Sequence, residues 1–184
     1  MKASTNTSTL IRFYRASSFT EKLKELYDEG ILIPDFCWEE LMQRRDLPEN
    51  QKMMKDETVF LIVVKLSLSE MERTVDLIDF AYGYASLQLD MEEATAISMG
   101  EFRGAEDTLS DDYVALALPH LTELRVSVLS SLDVLAKMVG KNVLKARDPA
   151  EFKDLVAKFE EECKEKFSRR KLDKLIRELY PTSV

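Results

Sequence analysis

The sequence predicts an all-α fold, an antiparallel helical bundle of roughly six to eight helices. Three observations lead there. Five glycines and five prolines in 184 residues leave little room for the tight turns that many short strands need. Apolar residues recur at spacings of three and four, as in Met71, Val75, Ile78 and Tyr82, and again in Leu121, Leu124, Val128, Leu132, Leu135 and Met138. Helix-start signals punctuate the chain from end to end.

Taken in order, residues 1–9 read as a polar N-terminal tail. Ser18 and Glu21 form a capping box that opens a helix through Phe19, Leu23, Leu26 and Tyr27, with Gly30 as its stop. Pro34 suits a first helical position, with Asp35 beside the positive end of the dipole. That helix carries Phe36, Cys37 and Trp38 and ends near Arg45. A short helix spans about Glu49 to Met54. Asp56 then caps a long helix towards Leu87, which takes in the apolar run Val59 to Val64. The β-branched content of that run and the alternation over Lys65 to Ser69 would also suit a strand. The lack of a partner strand elsewhere decides for a buried helix. Asp90 and Glu93 pair as a cap for the next helix, and residues 102–110 form a loop or short helix. Ser110 or Asp111 starts a helix kinked at Pro119 and closed by Gly140. Asp148-Pro149-Ala150-Glu151 is the strongest start signal, opening a helix that continues past Ser168 until Pro181 stops it.

The bulk numbers bound the function. The length suits a single helical domain over residues 1–184. A net charge of −8 disfavours nonspecific nucleic-acid binding. Cys37 and Cys163 cannot build a disulfide framework, so a reducing, cytoplasmic setting fits. His120 is the sole histidine, which disfavours zinc. No apolar run is long enough for a membrane span. Residues 1–20, with Lys2, Arg12 and Arg15 and no acid, share their composition with organelle transit peptides; a polar tail is the reading adopted here.

Charge is unevenly distributed. Residues 70–112 carry twelve acids against Arg73 and Arg103, whereas residues 164–177 carry seven bases against Glu165 and Asp173. Such asymmetry suits a cation, a basic partner or a second copy of the chain. Within the acidic stretch, Glu72, Asp76 and Asp79 stand at helical spacings of four and three and form the candidate metal site. Magnesium would use one or two of them together with waters and substrate phosphates. Asp90, Glu92, Glu93, Asp111 and Asp112 are read as helix caps and first-turn charges.

The stretch from Glu72 through Asp76 and Tyr82 to Leu89-Asp90-Met91-Glu92-Glu93-Ala94 resembles a helix of the MazG-like all-α nucleotide pyrophosphohydrolases. Arg73 stands where a glutamate precedes the motif aspartate; reading Asp79 as that aspartate puts Asp76 there. An upstream acidic motif matches Glu39-Glu40-Leu41-Met42-Gln43, with Gln43 in place of its last acid. The resemblance implies a magnesium-dependent hydrolase of nucleoside triphosphates using Glu72, Asp76 and Asp79.

In the basic segment, Arg169, Arg170 and Lys171 are the candidate anion-binding residues once pairs such as Glu160–Lys164 and Glu162–Lys166 are set aside as i,i+4 salt bridges. No serine or cysteine has a nucleophile-elbow setting around His120, and no phosphate-binding glycine loop is present. The leading functional expectation is a non-enzymatic protein-interaction module without a cofactor, acting with a protein partner or as a homo-oligomer. The alternatives are the magnesium-dependent hydrolase and, third, an RNA- or anion-binding protein.

Overall fold

Five short segments form strands, and together they overturn the all-α expectation. The computed structural model of the chain describes residues 1–181. The strands are β1 (Ala3–Thr5), β2 (Ile31–Pro34), β3 (Leu61–Val64), β4 (Asp107–Leu109) and β5 (Ser127–Leu129). All pair in parallel, in the order β3-β2-β1-β4-β5. The protein is therefore an α/β fold, not a helical bundle, and the all-α fold implied by the MazG-like resemblance is not adopted.

Parallel strands need crossovers, and the intervening segments supply them as helices. These are α1 (Thr7–Arg15), α2 (Ser17–Leu26), α3 (Asp35–Gln43), α4 (Pro48–Asp56), α5 (Leu68–Ala85), α6 (Met91–Arg103), α7 (Tyr113–Ala117), α8 (Ser131–Gly140), α9 (Pro149–Cys163) and α10 (Arg169–Leu179). A 3-10 turn, Leu118–His120, follows α7.

The two faces of the sheet bury separate apolar clusters. Ala3, Ile31, Ile33, Leu61 and Leu109 join Phe13, Tyr14, Leu23, Leu135 and Phe159 on the side covered by α1, α2, α8 and α9. The Phe159 ring lies 4.9 Å from that of Phe13 and 5.0 Å from that of Phe19. On the opposite face Val126 and Val128 meet Leu77, Ala81, Ala94 and Ile97 of α5 and α6, while Leu32 meets Val64 and Met99. Strand alternation explains why Ile31 and Ile33 go one way and Leu32 the other.

Gly100 lets α6 lie directly on the sheet. A Cβ there would stand 2.6 Å from Ser4 Oγ and 2.9 Å from Thr108 Oγ1. Those hydroxyls are buried and hydrogen-bonded to each other at 2.7 Å.

Several local expectations change with the fold. Residues 1–9 contain the central strand rather than a tail, with residues 3–6 buried. Within the run Val59 to Val64, a turn leads into β3 (Leu61–Val64), not helix. Asp56 ends α4, and α5 opens instead at Ser67, whose hydroxyl accepts from the Glu70 amide while Glu70 accepts from the Ser67 amide. Ser18 caps nothing; its amide and hydroxyl both donate to Glu162. Asp148 does cap α9, accepting from the Ala150 and Glu151 amides at 2.9 Å.

Candidate functional site

In an open parallel sheet the strand ends become a site where the connections reverse direction. Here β1 runs on to β2 and β3 on one side, and the chain then crosses to β4 and β5 on the other, so the reversal lies between β1 and β4. The residues leaving those strands are Asn6 and Thr7 after β1, and Ser110, Asp111 and Asp112 after β4. The first turn of α6 contributes Glu92 and Glu93 to the same crevice.

Asn6 caps α1, its carbonyl oxygen accepting from the Thr9 amide at 3.4 Å. Its amide nitrogen donates to Glu93 at 2.6 Å. Thr7 donates its hydroxyl to Glu92 at 3.0 Å. On α3, Glu40 stands near enough to Glu92 to act on its charge. Asp112 caps α7 by accepting from the Ala115 amide at 2.9 Å, and its own amide donates to Ser110.

The electrostatics separate this crevice from the rest of the molecule. Burial, then the neighbouring Glu40 and Glu93 carboxylates, push Glu92 above the usual glutamate range, against the opposing Thr7 hydrogen bond. Burial does the same for Glu93, helped by Asp112 and Asp90 and opposed by Asn6. Among the described residues, no lysine or arginine pairs with Glu40, Glu92, Glu93 or Asp112. Glu93 is 8% exposed. The other largely buried acids all have a basic partner. Glu49 meets Arg15 at 2.8 Å, Glu70 meets Arg103 at 2.6 Å, Glu160 meets Arg169 at 2.8 Å, and Asp107 meets Lys137. Asp111, next to the crevice, is neutralised by Arg12 and accepts from Ser131.

Cys37 lies beneath the crevice. Burial first, then Glu92 and Glu40, drive its thiol far above its ordinary value, so it stays protonated and packs as a small apolar group.

Glu72, Asp76 and Asp79 stand exposed on α5. Among the described residues, no group of three or more His, Cys, Asp or Glu side chains is already gathered closely enough to enclose a metal ion. The three basic candidates part company. Arg169 is drawn to buried Glu160, and Lys171 bonds Asp133 at 2.6 Å. Only Arg170 has no carboxylate partner among the described residues. Glu160 pairs with Lys166 and Arg169 rather than Lys164, because α9 ends at Cys163 with Lys164 in a left-handed conformation.

The first-turn and cap roles expected of Glu92, Glu93 and Asp112 hold, with Glu92 and Glu93 in the first turn of α6 and Asp112 capping α7; their meeting at the strand ends was not foreseen. Asp90 makes no side-chain cap to α6, which frees the expected Asp90–Glu93 pairing from that explanation. Consecutive acids after Asp90, placed before an unbroken buried run from Ala94 to Gly100, were the available signal.

No protein-family model, curated protein or solved structure matches the chain. No described helix is long and apolar enough to cross a membrane.

Proposed function

We propose that the crevice between the ends of β1 and β4 binds a divalent cation and hydrolyses a phosphate ester. The observation that carries this reading is the buried carboxylate Glu93, which alone among the strongly buried acids of the described residues lacks a cationic partner, with Glu92 beside it in the chain and Asp112 close enough to act on its charge. Uncompensated buried acids carry a desolvation cost that a cation relieves. Because no three ligands are already gathered, magnesium fits best: it is held by one or two carboxylates, with waters and ligand phosphates completing its shell. Such an ion would supply charge neutralisation at the phosphoryl group and an activated water.

The chain's own residues have distinct tasks. Glu93 and Asp112 are the proposed cation ligands. Asn6 positions Glu93 through its amide. Glu92, whose carboxyl is pushed up by burial and by Glu40, is the proposed proton carrier, taking a proton from water and returning it to a leaving group. Hydrolysis of a chromogenic phosphodiester with magnesium or manganese tests this directly. The expected result is metal-dependent turnover in the wild type that Glu93→Gln and Asp112→Asn abolish. Turnover unaffected by both substitutions, or absent with either metal, would overturn it.

A second reading has its own support. Leu68, Met71, Val75 and Tyr82 are exposed on one α5 face at spacings of three, four and seven, with Ile78 half-buried between the last two. This is the seam spacing by which helices pair. β3 is an edge strand of the sheet. We infer that α5 mediates self-association. Glu72, Asp76 and Asp79 then form a solvated rim rather than a metal site. An apolar seam predicts association that persists at high salt, unlike one driven by opposite surface charges. Sedimentation equilibrium should show a dimer that Val75→Glu dissociates; a monomer at all salt concentrations would dismiss this reading.

A further inference from the structure

We propose that a second site, on the β5 side of the sheet, binds the phosphate group of a small anionic ligand of nucleotide size. A cleft of about 550 Å³ opens between α10, β5 and the 3-10 turn. Arg170, Lys174 and Arg177 line it from one face of α10, at spacings of four and three, and His120 faces them from the turn. The floor is apolar, formed in part by Leu175 and Val128. This combination of a concave apolar floor and a few convergent polar groups is the usual form of a small-molecule site.

Charge balance inside the cleft identifies the ligand class. Two carboxylates line it, Asp133 and Glu178. Asp133 is already bonded to Lys171 and Ser130, and Glu178 stands 3.7 Å from Lys174. Among the described residues, Arg170 and Arg177 have no carboxylate within salt-bridge distance. Two unpaired guanidinium forks within one cleft match phosphate oxygens, which they can engage in bidentate fashion. The volume accommodates one nucleotide. The surrounding acidic chain, with its net charge of −8, disfavours tracking of a long polyanion.

A smaller cavity of about 290 Å³ shares Leu116, Ser168 and Lys171 with this cleft and reaches Asp111, which follows β4. The anion cleft thus extends towards the acidic crevice. Its binding is independent of the cation chemistry proposed there, so it is tested in the presence of a metal chelator.

Isothermal titration of the full chain at low salt uses inorganic phosphate, ADP and a short single-stranded RNA as probes. The expected result is binding of ADP, with phosphate weaker, that falls by roughly tenfold or more in Arg170→Ala and again in the Arg170→Ala/Arg177→Ala pair. Both side chains are exposed, so folding is expected to survive, which circular dichroism checks. Lys153→Ala, an exposed base on α9 outside the cleft, should bind as the wild type does. Phosphate bound as tightly as ADP would locate the affinity in the phosphate alone and still support the anion site. ADP affinity equal in wild type and double variant would overturn it. So would the absence of binding by every probe, or RNA binding that the double variant leaves intact while ADP fails to bind.

Discussion

Glu70 and Glu93 are both buried glutamates on neighbouring helices, and the protein treats them oppositely. Glu70 is held by a two-pronged Arg103 guanidinium, at 2.6 and 2.9 Å, and by the Ser67 amide. Burial works against its ionisation, but those partners prevail and keep its carboxyl below the usual range. Glu93 has the Asn6 amide and no cation, so burial prevails and the carboxyl is pushed up. The same contrast separates Glu160, held down by the Phe167 amide, Arg169 and Lys166 despite burial, from Glu92. A paired buried acid is part of the scaffold; an unpaired one marks a place where a positive charge is missing, and perturbed groups of this kind concentrate at functional sites.

The contrast can be broken most forcefully from the paired side. Arg103→Ala leaves Glu70 buried without its cation and is expected to cost about 3 kcal/mol, read from urea denaturation at neutral pH. A loss close to zero would show that Glu70 does not need its partner. The next largest effects have opposite signs. Glu70→Gln should cost about 1–2 kcal/mol by removing charge-assisted hydrogen bonds. Glu93→Gln should instead raise stability by about 1 kcal/mol, a melting shift of about 2–4 °C for a chain of this size. Destabilisation by both substitutions would erase the distinction between the two sites.

The pH dependence sharpens the same comparison. Glu70 has a lowered pKa, so the stability it contributes is present above the unfolded-state value of about 4.5 and is lost as pH falls through its folded value. The deficit of Glu70→Gln should therefore shrink in acid. Glu93 has a raised pKa, so its ionisation cost is absent below about 4.5 and grows as pH rises through the window above it. The gain of Glu93→Gln should accordingly vanish in acid and reach its plateau once the pH exceeds the raised folded-state pKa of Glu93. Melting temperatures recorded across that range check both signs. The smallest effect is cation binding. At a concentration equal to Kd, magnesium would stabilise the wild type by about 0.4 kcal/mol. Glu93→Gln should lose that response, while Glu72→Gln on α5 should keep it. A response lost in Glu72→Gln instead would move the cation to the α5 acids.

The helical segments were legible because their signals are local. Asp148-Pro149 starts α9 as read, and the apolar residues Phe152, Val156 and Phe159 face the core as their spacing requires. The strands were not. Each is three or four residues long, too short for alternation to stand out, and β1 is the small polar run Ala3-Ser4-Thr5. Their pairing partners lie across helical crossovers, so no hairpin turn announces them. The few glycines and prolines were taken to exclude a sheet. In fact they exclude only the tight turns of antiparallel connections, which a parallel sheet does without.

What the sequence determined by itself is the start and apolar face of α9 and the separation of an acidic middle from a basic end, whereas the stripe from Leu121 to Met138 is divided between β5 and α8. Tertiary structure decided which acids are neutralised. Glu70, Glu93 and Glu160 are alike as residues in acidic surroundings. They differ because folding brings Arg103 to the first and Arg169 to the last, and only Asn6 to Glu93. Pairing of a buried side chain depends on distance through space, and Asn6 and Glu93 lie 87 residues apart in the chain.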